Sequence, residues 1–352
     1  MERILLVKGI EGLGNRILCM LTGSLYARLS GRKLIVDWRD ENYSTGGANA
    51  FHHFFLSPLC APAAEVPKTD SVAPVIWRGH LEKPAWWLRE RHSDLTDAQG
   101  WRMFSIDLSR LDYSEQVAVM WTYDDELDPL IPYLDVAAGP LAGASRFMIL
   151  RTLLRETLTL HPAIREKVDR FKRDHFKGRM VGVHIRYSDH RTALWATLEA
   201  LHQLLDRDLT CRIFLSTDNI QIRRLFERKY DYVISTPHWY APIPGRPVHY
   251  GAERPDPIVN GVEALVDLYL LAECDALIVD TSSSFGYLAT LLTHAPAARI
   301  CDVKRRDKLP PRIRKASTWL MNRFHAHSWA PGIIGKLVRQ PQLAAGGRSG
   351  GA

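Results

Sequence analysis

Cysteine is scarce. The 352 residues hold five, Cys19, Cys60, Cys211, Cys274 and Cys301, with no Cys-x-x-Cys and no Cys/His pair. An odd, scattered set argues against a disulfide framework and a structural zinc site. Most of these thiols sit inside apolar runs, which points to buried free thiols in a reducing compartment. Runs of about 18 uncharged apolar residues are also missing, so no transmembrane helix is expected. No charged segment leads into an apolar stretch of about 7–15 residues, so no secretory signal is expected either. A cytoplasmic, bacterial setting is the resulting expectation. There is no internal repeat of fixed period. A Gly-x-Ser-x-Gly elbow is absent, so the serines do not read as a hydrolase site. Asp124-Asp125 is the one acidic pair resembling a metal motif, and it reads as part of a loop; no metal is expected. Charge is ordinary in amount, at 24% of residues, with 46 basic against 39 acidic side chains and a net charge of +7. That excess suits a nucleotide, a nucleic acid or an acidic membrane surface without choosing among them.

What is present is alternation. At roughly 100–200 residues per domain, the length favours two domains. Ile4 to Val7 is a β-rich run, followed by the loop Gly9-Ile10-Glu11-Gly12-Leu13-Gly14-Asn15-Arg16. Residues 16–30 carry apolar positions at helical spacing, Gly31 ends them, and Leu34 to Trp38 is the next strand. Such a βαβ unit implies a parallel sheet. Residues 39–145 show weak periodicity and read as long loops near a cleft. A helix is expected from about Gly143 to Leu160, interrupted or restarted at His161-Pro162.

A second alternating series follows. Strands are expected at 180–185, 211–215, 232–234, 276–279 and 298–303. Helices are expected at 192–207, 220–229, 258–273 and 283–292. The expected organisation is α/β, with an N-terminal Rossmann-like domain at 1–165 and a C-terminal one at 178–310. A basic segment at 311–340 and a disordered Gly/Ala/Ser tail at 341–352 complete it. The basic segment interleaves Arg312, Arg314, Lys315 and Arg323 with Trp319, Phe324 and Trp329. It suits either packing against the first domain or peripheral contact with a membrane.

In a doubly wound sheet, ligands bind at the carboxyl ends of the strands. Four segments with reactive or polar residues fall there. Gly12, Gly14 and Asn15 precede a helix whose free N–H groups can face a phosphate. His184 and Arg186 share a face at a strand end, with Asp189 nearby. Arg suits forked bonding to a diphosphate, and an Arg186–Asp189 structural ion pair is the plain alternative. Thr217 and Asp218 lie in the polar turn Ser216-Thr217-Asp218-Asn219, which also caps a helix. Asp267 lies on a helix and can accept two bonds from guanine. Ser282, Ser283 and Ser284 open another helix and make a phosphate seat. The first loop also fits a dinucleotide fingerprint, with Asp37 as its acidic residue, so a nicotinamide-dependent oxidoreductase is one alternative.

Taken together, His184-Ile-Arg186, Asp189, Thr217-Asp218, Asp267-Leu-Tyr-Leu, Ser282-Ser283-Ser284-Phe285 and Gly12-Leu-Gly14-Asn15 resemble the fucosyltransferase superfamily. That superfamily unites α1,6-, α1,2- and protein O-fucosyltransferases, and the likeness is to the NodZ-like α1,6 branch. The resemblance implies a GT-B fold, two Rossmann-like domains facing a cleft. It also implies inverting, metal-independent transfer of L-fucose from GDP-fucose to a glycan or glycolipid. Arg186 matches the family's essential arginine. The other named residues become donor contacts, with GDP-fucose as substrate and no cofactor. No nucleic-acid partner is implied. Tyr187 stands where many α1,6 members have a second Arg, and His190 where they have Lys. An α1,2 linkage, or another GDP-sugar, therefore stays open, as does a non-catalytic nucleotide-sugar or polysaccharide-binding protein. Inverting transfer needs a base to deprotonate the acceptor. Asp40, Glu41 and Asp125 are candidates the sequence does not rank.

Overall fold

Every strand of the first alternating unit is buried, because each lies between two apolar layers. β1 (Ile4–Lys8) and β2 (Lys33–Asp37) flank α1 (Leu13–Ser30), which Gly31 ends in the left-handed region at φ 64°. Leu5 and Val7 face one apolar cluster, while Ile4 and Leu6 face a second that includes Trp77, Phe104 and Trp121. This is the period-two alternation of a strand covered on both faces.

The computed structural model describes residues 2–306, except 41, 45, 58–59, 62–65, 93–99, 138, 209 and 242–255. Glu41, most of the Pro-rich loop after residue 241, the basic segment 311–340 and the tail 341–352 therefore lie outside the described residues. Residues 1–305 group into one compact unit.

After β2 come a four-residue helix α2 (Phe51–Phe54) and the short strands β3 (Phe55–Leu56), β4 (Cys60–Ala61) and β5 (Val72–Ala73). Then follow α3 (Ala85–Arg91), β6 (Val117–Met120), α4 (Ile131–Ala137) and α5 (Arg146–Thr157). β7 (Thr159–Leu160) pairs antiparallel with β3, and α6 (Pro162–His175) follows with proline in its first turn. The expected helix from Gly143 to Leu160 is thus shorter, and Pro162 starts a new one. The first sheet is parallel, in the order β4-β2-β1-β6-β5. Its strand β6 sits beside β1 within a stretch read as loops. Four residues between irregular segments give periodicity too little length to register.

The second series is β8 (Met180–Ile185), α7 (Leu194–Leu205), β9 (Arg212–Thr217), α8 (Ile220–Lys229), β10 (Val233–Ile234), α9 (Pro257–Ala272), β11 (Ala276–Val279), α10 (Ser284–Leu292) and β12 (Ile300–Asp302). Its sheet is also parallel, in the order β10-β9-β8-β11-β12. Helices α1 and α5 of the first half pack on α10 of the second, and one apolar cluster runs from Leu5 through Leu291. Among the described residues, no helix is long and apolar enough to cross a membrane.

Candidate functional site

The carboxyl ends of β8 and β9 and the first turns of α1 and α10 surround a cleft, closed on one side by α9. It encloses about 840 Å³, counting the solvent in its mouth. Gly12, Gly14, Asn15, His184, Arg186, Asp189, Thr217, Asp218, Asp267 and Ser284 all line it. Residues more than 250 positions apart in sequence thus meet in one place, as the topology of two facing parallel sheets requires.

Arg186 emerges just past β8. Its Nε and Nη2 donate to the two carboxylate oxygens of Asp189, at 2.9 and 2.6 Å. Burial would raise the Asp189 carboxyl, but the bonds and charge of Arg186 and the Ser188 hydroxyl bring it down to about 2. The arginine keeps about a quarter of its side chain exposed, so one edge of its fork is fixed and the rest faces the cleft. Asp218 holds the turn beneath it. It accepts from the amides of Tyr187 (2.6 Å) and Ser188 (3.3 Å) and from the Ser188 hydroxyl (2.5 Å). Burial nevertheless keeps the Asp218 carboxyl above its ordinary range.

His184 stacks on Phe285, with centroids 4.9 Å apart. Burial and the neighbouring Arg186 push its imidazole down to about 3, so it is neutral across the physiological range. Its Nδ1 has no hydrogen-bond partner among the described residues. Asp267 is buried; it accepts from the Thr236 hydroxyl, and burial raises its carboxyl despite bonds from Thr236 and Ser216 and the nearby His238. A surface carboxylate is excluded here.

Only the last serine of the 282–284 run lines the cleft. Ser282 donates to Asp280 and contacts His190 Nε2 at 3.1 Å, and Ser283 is buried. Successive residues at a helix start point about 100° apart, so three in a row cannot share one wall. Ser284 donates to Asn15 Oδ1 at 2.8 Å, while Asn15 Nδ2 donates to the Tyr123 carbonyl at 2.5 Å. Asn15 therefore ties the first half to α10. At Gly14 the close neighbour is protein. A Cβ there would stand 2.4 Å from Ser284 Oγ and 2.9 Å from its Cβ.

The acidic residues of the first half are mostly committed. Asp37 is buried between Lys8 (2.6 Å) and Arg39 (2.7 Å), so it is not presented to a ribose as a dinucleotide site would need. Asp40 is buried against Arg16, and Asp125 is paired with Arg146. Glu11 differs. It is the one non-glycine residue with positive φ among the described residues, at 60°. That conformation costs about 1 kcal/mol or more for a side chain with a Cβ. Its carboxylate meets Arg89 Nη1 of α3 at 3.3 Å and keeps 20% exposure.

Sequence reasoning missed Tyr43, His238, Trp239, Asn260 and Glu263 on the cleft wall. His238 and Trp239 carried a signal, since aromatic and titratable residues crowd the loop after β10. Asn260 and Glu263 carried little, because polar residues on one helix face normally read as solvated.

A family model for nodulation protein Z (NodZ) matches residues 149–308. Nodulation protein Z of Bradyrhizobium diazoefficiens is 24% identical over 305 residues, covering 79% of this chain and 75% of the relative. A crystal structure of NodZ alpha-1,6-fucosyltransferase co-crystallized with GDP superposes with TM-score 0.56 at 23% identity, covering 83% of this chain and 93% of that one. Another, soaked with GDP-fucose, gives TM-score 0.54 at 21% identity, covering 83% and 93%. The fold is α/β and GT-B-like, and the likeness to NodZ-like fucosyltransferases read from the motifs is borne out.

Proposed function

We propose that the protein is an inverting glycosyltransferase that moves L-fucose from GDP-fucose to a glycan or glycolipid, forming an α1,6 linkage. The observation that carries this reading is Arg186, held by Asp189 at the mouth of β8 with half of its fork open to the cleft. When the sugar–phosphate bond breaks, negative charge gathers on the β-phosphate. A preorganised guanidinium stabilises that charge without reorganising. The free amides at the start of α10, beside Ser284, add a partial positive charge. NodZ structures with GDP and GDP-fucose support the donor assignment.

In this reading residues 178–310 bind the GDP-sugar and residues 1–165 form the acceptor side. Asp267 contributes to guanine selection, deep on the α9 wall beside Ser216. The enzyme works in the cytoplasm without a metal or other cofactor, and segment 311–340 contacts the inner membrane face. Sedimentation with anionic vesicles tests that last point.

The main test is a panel of GDP-, UDP- and adenine-containing ligands against the purified chain. GDP should raise the melting temperature and GDP-fucose should be consumed, with the linkage read from the product. Stabilisation by NAD alone would instead favour an oxidoreductase.

A further inference from the structure

We propose that Asp267, Thr236 and His238 share one proton along a chain of hydrogen bonds, and that guanine is selected by drawing that proton to His238. The inference deepens the GDP-sugar reading and rests on it.

The chain starts on α9 and ends on the segment after β10. Asp267 Oδ1 meets the Thr236 hydroxyl, and Thr236 Oγ1 lies 3.4 Å from His238 Nδ1. His238 Nε2 lies 3.0 Å from the Thr217 carbonyl, at the carboxyl end of β9. Asp267 and Thr236 are buried, and Asp267 and His238 both line the cleft.

Counting donors restricts the protons. The Thr217 carbonyl only accepts, so His238 Nε2 carries a hydrogen. The Thr236 hydroxyl has one hydrogen and two neighbours. In one arrangement it donates to Asp267, and Nδ1 must then donate to Thr236 Oγ1. The ring is an imidazolium and Asp267 a carboxylate. In the other it donates to Nδ1, and the Asp267 carboxyl must hold a proton and donate to Thr236 Oγ1. Both arrangements hold the same number of protons and leave no bond of the chain unmade. Passing from the second to the first moves the carboxyl hydrogen to Thr236 Oγ1 and the Thr236 hydrogen to Nδ1.

The surroundings oppose one another at Asp267. Burial and the negative charge of Glu263, one turn back on α9, raise its carboxyl, while His238 and the bonds from Thr236 and Ser216 lower it. Arg223 of α8 also faces the chain, with Nη1 3.4 Å from the Thr236 carbonyl, and the Tyr240 ring lies 4.3 Å from that of His238. Guanine tips this balance. Its N1–H and 2-amino group only donate, and a charged carboxylate accepts from them more strongly than a neutral acid does.

The experiment is calorimetry of GDP binding to the full chain in two buffers of different ionisation heat, which counts the protons exchanged with solvent. In the wild-type chain the proton leaving Asp267 stays inside, on His238. His238→Asn and Thr236→Val each cut the chain, so GDP binding should release about one more proton than in the wild type. The same diphosphate binds in every case, so its own titration cancels in the difference. GDP affinity should fall about tenfold or more in both variants. Thr236→Ser, which keeps the hydroxyl, should restore the wild-type proton count and affinity. Wild-type proton counts in His238→Asn and Thr236→Val would overturn the relay while leaving the donor reading standing. A wild-type chain that binds no GDP would overturn the donor reading and the relay together.

Discussion

Arg186 is in position before any ligand arrives, since Asp189 already holds its fork. Arg186→Ala should therefore leave the fold intact and cut transfer by about 10²–10³-fold. Arg186→Lys keeps the charge but loses the planar fork, and should also be severely impaired. Turnover and melting temperature measured together separate this from a purely structural ion pair, whose loss would lower stability instead. His184 gives a second prediction at this scale. Burial and Arg186 hold its pKa at about 3, against 6.5 for an ordinary histidine. The unfolded chain therefore binds a proton at a pH where the folded chain does not. Stability is full above about 6.5 and falls as pH drops toward 3. Linkage puts the loss between pH 7 and 5 at about 2 kcal/mol. Urea unfolding at the two pH values measures it, and His184→Gln should flatten the slope. An unchanged slope would mean that other groups carry the acid sensitivity.

Between elements, the contact that matters is α1 against α10. Gly14 lets the two helix starts approach, and Asn15 and Ser284 then close a hydrogen bond across them. Gly14→Ala places a methyl group 2.4 Å from Ser284 Oγ, so one helix must shift. Overpacking of this kind costs about 1–3 kcal/mol. Because both sides of the contact line the cleft, GDP affinity should fall with stability. Gly14→Ala combined with Ser284→Gly removes the two closest contacts, leaving the Phe285 backbone nitrogen at 3.0 Å, and a double-mutant cycle should show a favourable coupling between the two changes. Additive effects would mean that the helices do not meet as described.

At the scale of the whole molecule, the proposed reaction takes its fixed positive charge at the leaving group from an arginine and a helix start. Transfer should therefore persist after dialysis against EDTA, and added Mg²⁺ should change the rate little. A rate abolished by EDTA and restored by one divalent ion would move that role from Arg186 to a metal.

The sequence by itself determined the alternation of strands and helices, the two parallel sheets, and many of the residues on the cleft wall. Strand ends in such sheets are where polar residues gather, so His184, Arg186, Asp189, Thr217 and Asp218 stood out against apolar runs, and Asp267 stood out as a carboxylate within an apolar helix. Local pattern could not reveal β6, because four residues carry too little periodicity. Nor could it tell which serine of 282–284 faces the cleft, since that depends on the rotation of α10 against α1. Only the tertiary structure decided the fate of the acidic residues. Asp37, Asp40 and Asp125 are drawn into ion pairs by basic residues that a linear reading does not place beside them, and Glu11 meets Arg89 from α3 in the same way. Charge in a sequence is local, but its partner is chosen by the fold.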